Sequence, residues 1–288
     1  MNKNELKRNF ILLNVGYAYH DADWNWKNIH SPFARIHYVK SGTAKILRED
    51  GIVFELKKGH LYLTPSYVKH RYECDDILEL YYLHIYEEIG KNLSIFDVIS
   101  FPGEIEGGPL DIHLIQRLIK INPERELQYF DPSSYDNSTH LAYNVAIQQK
   151  SPLAFELETE GIIKQLFSRF LAHAVYKNEK MDMRILKSLD YIHGNIDHAI
   201  DIECLAERSC LTKDHFIRLF KKEMNCTPGK YINIKKIETA QLRLLICESS
   251  IKDIAYGLGF DNISYFNRLF TKITGESPGR YKNRYRAH

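Results

Sequence analysis

Between Ala34 and about Ile85 apolar and polar residues alternate in short runs: Ala34-Arg-Ile-His-Tyr-Val-Lys, Thr43-Ala-Lys-Ile-Leu, Ile52-Val-Phe-Glu-Leu, His60-Leu-Tyr-Leu-Thr and Leu78-Glu-Leu-Tyr-Tyr-Leu-His-Ile. A period of two, rich in β-branched and aromatic residues, is the pattern of strands with one face turned inward. Ser41-Gly42, Asp50-Gly51, Lys58-Gly59 and Pro65-Ser66 punctuate the runs, and Asp50-Gly51 is the clearest hairpin signal. Strands roughly ten residues apart with turns between them predict a small antiparallel barrel or sandwich. Beyond Ile85 the pattern loosens through Phe101-Pro-Gly and Gly107-Gly-Pro to a helix at 110–121 and an irregular Asn/Pro/Ser/Asp-rich stretch at 122–140. A long helix is predicted over about 154–177, where Leu157, Ile162, Ile163, Leu166, Phe167, Phe170 and Leu171 recur at helical spacing. Such a stripe serves as intramolecular core or as a dimer seam.

From Met181 the period becomes helical, and the chain repeats itself. Phe216, Arg218, Leu219, Phe220, Lys222, Pro228, Gly229 and Tyr231 fall on Phe266, Arg268, Leu269, Phe270, Lys272, Pro278, Gly279 and Tyr281 at a constant offset of 50. Eight matches in sixteen positions mark a duplicated helical unit. Each copy reads as a short helix (202–208, 251–257), a tight turn and a longer helix (212–223, 262–273), joined by one helix over 229–247 with Ala240, Leu244 and Leu245 inward. That is the order of a helix-turn-helix, whose second helix can enter a major groove. Phe216, Leu219 and Phe220, like Phe266, Leu269 and Phe270, sit at i, i+3, i+4 and must face inward. The outward faces then carry Lys213, Asp214, Ile217, Arg218 and Lys221 in the first copy, and Asn262, Ser264, Asn267, Arg268 and Thr271 in the second. Arg and Asn can pair bidentately with guanine and adenine, whereas Lys and Ser/Thr more often hold phosphates, so Arg218 and Arg268 are the leading base readers.

Composition bears on this mainly through charge. The net charge of the 288 residues is only +2, but residues 1–180 carry 21 Lys and Arg against 24 Asp and Glu, while residues 181–288 carry 18 against 13. The cationic surplus therefore lies with the repeat and runs to Arg280, Lys282, Arg284 and Arg286. No apolar run of about 18 residues exists, which sets a membrane partner aside, and the mixed charges of Met1–Arg8 do not read as an export signal; a cytoplasmic location is expected. Five cysteines without a CxxC pair argue against a disulfide framework or zinc ribbon.

The second copy reads Ile251-Lys-Asp-Ile-Ala-Tyr-Gly-Leu-Gly-Phe-Asp-Asn-Ile-Ser-Tyr-Phe-Asn-Arg-Leu-Phe and closes on Gly275-Glu-Ser-Pro-Gly-Arg-Tyr. With these signatures the last hundred residues resemble the DNA-binding domain of the AraC/XylS transcription regulators. The resemblance implies seven helices, with DNA read from Asp214, Ile217 and Arg218 and from Ser264, Asn267 and Arg268. Lys236 and Thr271 depart from the family pattern, which commonly has Arg and Lys there, and acidic Asp214 is unusual on a DNA-facing helix. The resemblance further implies an α+β multidomain chain: a cupin-like effector-binding β-barrel at 1–108, dimerisation helices at 109–180 and an all-α domain with two helix-turn-helix motifs at 181–288. A homodimeric activator follows, with double-stranded DNA, a small-molecule effector such as a carbohydrate, and RNA polymerase as partners.

Gly59-His-Leu-Tyr-Leu-Thr-Pro65-Ser-Tyr-Val-Lys-His70 resembles the second cupin motif, but the first, His-x-His followed by Glu, is missing from the strand around Arg35–Lys45. No metal, cofactor or catalytic group is therefore expected, and cupin-type enzyme chemistry is disfavoured. A ligand-free barrel remains the alternative to an effector site. For that site the alternating polar and aromatic positions name Arg35, His37, Tyr62, His70, Tyr82 and His84. Trp24 and Trp26, which precede the barrel, belong to an arm expected to cover core, with covering the pocket or touching the DNA-binding domain as the alternatives.

Overall fold

The computed structural model describes residues 9–88, 94–136, 144, 152–176, 182–224, 226–247 and 249–284. The chain divides into two compact units, Met1–Glu88 with Ile99–Val175, and Ile89–Val98 with Tyr176–His288. Two boundaries differ from the sequence expectation. The helical region after residue 108 packs into the first unit, and the short segment up to Val98 is part of the second.

In the first unit, β1 (Asn9–Asp21), β2 (Ala34–Gly42), β3 (Lys45–Arg48), β4 (Val53–Glu55), β5 (His60–Thr64), β6 (His70–Glu73), β7 (Ile77–Glu88) and β8 (Glu104–Glu106) form two antiparallel sheets. The larger has the order β1-β7-β2-β5-β8, the smaller β4-β3-β6. Ala18, Val39, Leu80 and Tyr82 from the first share one buried cluster with Ile46 and Tyr72 from the second, so the sheets enclose a common core. The outer face of the large sheet is covered by α2 (Pro109–Ile121) and, after the four-residue α3 (Pro132–Tyr135), by α4 (Leu153–Leu171). Ile115 and Leu118 of α2, and Ile163, Leu166 and Phe170 of α4, are fully buried, and Phe10 stacks on Phe167 with ring centroids 4.7 Å apart. Burial on both faces explains why β1 reads Phe-Ile-Leu-Leu-Asn-Val without alternation, and why the sequence pattern does not mark it as a strand. The stripe of α4 is thus mostly intramolecular core, while Leu157 at its start and Leu171 at its end are exposed.

The second unit contains α1 (Ile95–Val98) and seven helices among the described residues: α5 (Met183–Gly194), α6 (Ile202–Arg208), α7 (Lys213–Met224), α8 (Pro228–Ile246), α9 (Ile251–Tyr256), α10 (Ile263–Thr274) and α11 (Pro278–Arg284). The helices start where local chemistry directs: Asp201 and Thr227 accept from backbone N–H groups at the starts of α6 and α8, and Ser250 with Asp253 forms a capping box on α9. The repeat is one of structure as well as sequence. Phe216–Phe220 and Phe220–Tyr231 ring centroids lie 5.7 Å apart, and Phe266–Phe270 and Phe270–Tyr281 lie 5.8 and 5.5 Å apart. Both inter-helix turns close with the same bond, Leu211 N–H to the Ala206 carbonyl at 2.9 Å and Phe260 N–H to the Ala255 carbonyl at 3.1 Å. Both also place one residue at positive φ, Cys210 at 52° and Gly259 at 66°.

One buried charge in this unit is held from far along the chain. Lys235 of α8 has its ammonium 2.6 Å from Asp97 of α1 and 2.9 Å from Glu238. Beside it His193 Nε2 lies 2.8 Å from the Tyr231 hydroxyl. Burial opposes the Lys235 charge, but Asp97 and Glu238 outweigh it and raise its pKa well above the usual value.

Candidate functional site

The inner face of the large sheet carries the residues picked out by alternation. Arg35 sits opposite His84 and Thr64, and His37 opposite Tyr82 and Tyr62, so five of these side chains share one side of β2, β5 and β7. Gly16 of β1 pairs with Tyr82, and a Cβ there would collide with the Tyr82 hydroxyl, so its absence makes room for the ring. Arg35 is 1% exposed; its Nη2 donates to Ser31 Oγ at 2.7 Å and lies 3.8 Å from the Asp136 carboxylate, with Phe33 under the guanidinium at 4.6 Å. Its Nε is buried without a hydrogen-bond partner among the described residues.

The histidines around this cation are held neutral. Burial, with Arg35 and His20 adding to it, takes His37 down to about 3, and its buried Nδ1 also lacks a partner among the described residues. Burial and then Arg35 push His70 well below the ordinary range. The two ring nitrogens of His70 are engaged locally, Nδ1 2.8 Å from the Val68 carbonyl and Nε2 3.0 Å from the Tyr72 hydroxyl. Tyr62 is turned to the wall: its hydroxyl accepts from the Lys57 N–H at 2.8 Å and lies 3.0 Å from the Glu55 carbonyl. Trp24, expected to cover core or pocket, stacks on Tyr72 at 3.8 Å. The sequence reading misses the rest of this interior: Phe130, Tyr135 and Asp136 enter from the irregular stretch after α2. The alternation His70-x-Tyr72 could have located Tyr72; nothing local marks Phe130, Tyr135 or Asp136. No group of three or more His, Cys, Asp or Glu among the described residues is arranged to hold a metal ion.

In the second unit, Phe216 and Phe220 of α7 and Phe266 and Phe270 of α10 are buried, which turns the opposite faces to solvent. Lys213, Asp214, Arg218 and Lys221 are exposed and Ile217 is half-buried; Asn262, Ser264, Asn267, Arg268 and Thr271 are all exposed. Some of these already have tasks. Asn262 caps α10, its Oδ1 accepting from the Ser264 and Tyr265 N–H groups at 2.8 and 3.0 Å. Thr271 donates to the Asn267 carbonyl at 2.8 Å, and Lys213 lies 3.4 Å from Glu203. Arg218, Lys221 and Arg268 form no hydrogen bond or ion pair with any described residue, so their donors are open to a partner. Lys236 turns inward instead, donating to the His198 carbonyl at 2.9 Å with its ammonium 5.2 Å from the Phe260 ring centroid.

Fold and sites together define a chain of two modules, a β-barrel with a charged aromatic interior and a paired helix-turn-helix domain. The family model described as AraC-like ligand binding domain matches residues 14–102, and that described as helix-turn-helix domain matches residues 205–284. These two matches, one on each module, bear out the resemblance to the AraC/XylS regulators. The chain is 33% identical over 109 residues to the putative HTH-type transcriptional regulator YkgA of Escherichia coli, covering 38% of this chain and 46% of that protein. It is 29% identical over 132 residues to the arabinose operon regulatory protein of Salmonella typhimurium, covering 44% and 46%. The matches thus span about half the length of these curated relatives. ToxT from Vibrio cholerae O395 superposes over 97% of this chain and 99% of its own with a TM-score of 0.52 at 13% identity, a likeness of fold. None of the described helices is long and apolar enough to cross a membrane.

Proposed function

We propose that this chain is a sequence-specific DNA-binding regulator of transcription, in which α7 and α10 read two successive major-groove segments and the barrel takes a small-molecule effector. The observation that carries the first half is the pair of structurally equivalent helices with unpartnered Arg218 and Arg268 on their outward faces. Recognition helices one helical turn of DNA apart, about 34 Å, let one chain cover a site of two half-elements. Arg268, Asn267 and Ser264 face base edges in this reading, with Arg218 and Ile217 from the first copy, while Lys221 and Lys213 hold phosphates. Asp214 lies at the rim, and Asn262 and Thr271 shape α10 through their internal bonds.

For the barrel, the support is a buried cation ringed by neutral histidines and aromatic rings, an interior built for a polar occupant. ToxT, whose fold this chain shares, has been crystallised with an unsaturated fatty acid bound. Dimerisation through the first unit is proposed on the exposed Leu153, Phe155 and Leu157 of α4. Activation, and contact with RNA polymerase, follow the family pattern. A ligand-free barrel is the second reading, favoured by the packing of the interior with the chain's own side chains.

Selection of bound fragments from random duplex DNA by the full-length chain, with and without a panel of small metabolites, tests the proposal. A bipartite motif with half-elements about ten base pairs apart is expected. Absence of any enrichment, with Arg268→Ala behaving like the parent on every duplex, would overturn it.

A further inference from the structure

The barrel of the first unit is filled in part by a piece of chain that is not a wall of the barrel. Residues 126–136 follow α2 and its short 3-10 turn, and apart from the four-residue helix Pro132–Tyr135 they have no regular structure. Yet this segment supplies the groups that meet the inner-face residues. The Leu127 N–H donates to the Tyr82 hydroxyl at 2.8 Å. The Phe130 ring stands edge-on to His20 at 4.9 Å and to Tyr82 at 6.0 Å. Tyr135 stacks on His84 at 4.8 Å, and Asp136 accepts from Ser31 and faces the Arg35 guanidinium at 3.8 Å. Tyr135 and Asp136 are buried, at 7% and 4% exposed.

These contacts are those of a ligand: aryl rings set edge-on and stacked against the aromatic walls, and a carboxylate facing the buried Arg35 of the inner face. A buried guanidinium needs an anion, and the chain provides one from a segment with little secondary structure to hold it in place. Asp136 reaches Arg35 through one nitrogen, and the neighbouring Nε and the His37 Nδ1 are left without partners among the described residues. A small carboxylate entering the site could take both edges of the fork, which the tethered Asp136 does not.

We propose that residues 126–136 are an internal occupant of the barrel, and that the effector is a small aromatic carboxylic acid that displaces them. The proposal rests on the effector-binding reading and narrows it to one ligand class. The ligand carboxylate takes Arg35 and Ser31 from Asp136, and its ring takes the place of Phe130 or Tyr135 against Tyr82 and His84. A neutral sugar offers nothing that could replace the Asp136 charge, so the carbohydrate expectation gives way to an anionic one. Displacement frees residues 126–136, which follow α2, one of the two helices that cover the sheet.

Trp24 and Trp26 are the chain's two tryptophans, and Trp24 lies in this interior, so intrinsic fluorescence of the full-length protein reads the site directly. The titrants are benzoate and phenylacetate, with benzyl alcohol and arabinose as neutral controls. Saturable binding of a carboxylate and of neither control is expected. Asp136→Asn should tighten it about tenfold by weakening the competitor, and Arg35→Met should abolish it. Phe130→Ala leaves the Arg35–Asp136 pair intact and should tighten binding too, so the test survives if Asp136→Asn does not fold. Binding of arabinose or benzyl alcohol with an affinity unchanged in both segment variants would overturn the proposal and leave the effector reading standing. No response to any titrant in the parent or in either segment variant would overturn the proposal; a motif selected from random DNA that then shifts with some other metabolite would still uphold the effector reading.

Discussion

Asp97→Asn keeps the shape of a side chain while removing the charge that faces Lys235 at 2.6 Å. The pair is well enclosed, with side-chain exposures of 14% and 13%. Breaking a buried ion pair by removing one partner costs about 3–5 kcal/mol when the other charge is stranded. Lys235 is not stranded, because Glu238 remains 2.9 Å away, and an amide can still accept one hydrogen bond. The expected loss is therefore smaller, about 2 kcal/mol. For a unit of this size that lowers the unfolding midpoint by about 8 °C. The two units can be followed separately in the intact protein. Both tryptophans lie in the first unit, whereas most helices belong to the second, so fluorescence reports one and circular dichroism at 222 nm chiefly the other. The helical transition should fall by about 8 °C while the fluorescence transition stays in place, and a cycle with Lys235→Met should show coupling of at least about 1 kcal/mol. A fall of less than about 2 °C would refute the idea that the chain segment after β7 completes the second unit electrostatically. The consequence for function is direct: α8, which joins the two helix-turn-helix units, would be anchored by a residue only nine positions beyond the strand that carries Tyr82 and His84.

Arg268→Ala should cost about 1–3 kcal/mol at one base position and relax specificity there, whereas Lys221→Ala should weaken all duplexes alike and lower the salt slope by about one; fluorescence anisotropy on cognate and scrambled duplexes separates the two, and equal losses for Arg268→Ala would contradict base reading. The first unit should lose stability as pH falls. His37 and His70 are neutral in the fold and titrate far below their unfolded value of about 6.5, so their contribution is complete above that pH and is lost as the unfolded chain takes up protons below it, at up to about 1.4 kcal/mol per pH unit for each. A fluorescence midpoint that stays level from pH 7 to pH 5 would rule this out. At the equivalent turn positions opposite outcomes are expected from thermal melts: Cys210→Gly should stabilise by about 1 kcal/mol by relieving a positive φ, and Gly259→Ala should destabilise by about 3 kcal/mol or more, because the new Cβ strikes the backbone of His198 and Ala199. A stabilised Gly259→Ala protein would show that the turn can relax.

What could be read from the residues alone follows from how far each signal travels along the chain. The helix-turn-helix repeat was legible almost helix by helix, because the 3.6-residue spacing of Phe216/Phe220 and Phe266/Phe270 acts within a few positions of where it stands and recurs at a constant offset of 50. The inner face of the barrel was legible for a similar reason: alternation puts Arg35 with His37 on one face of β2 and Tyr82 with His84 on one face of β7, and the register then brings these together with Tyr62. Tyr62 shows the limit of that rule, since its face was right and only the neighbouring backbone at Glu55 and Lys57 decided that its hydroxyl serves the wall. Two-sided burial hid β1, because a strand covered by α2 and α4 as well as by the core has no polar face to alternate with. The partners of the two buried cations were beyond the sequence altogether. Asp136 meets Arg35 across 101 positions and Asp97 meets Lys235 across 138, with no periodicity linking them. A buried charge requires a counter-ion, but only the folded chain decides which carboxylate arrives, because that choice is made by packing and not by local propensity.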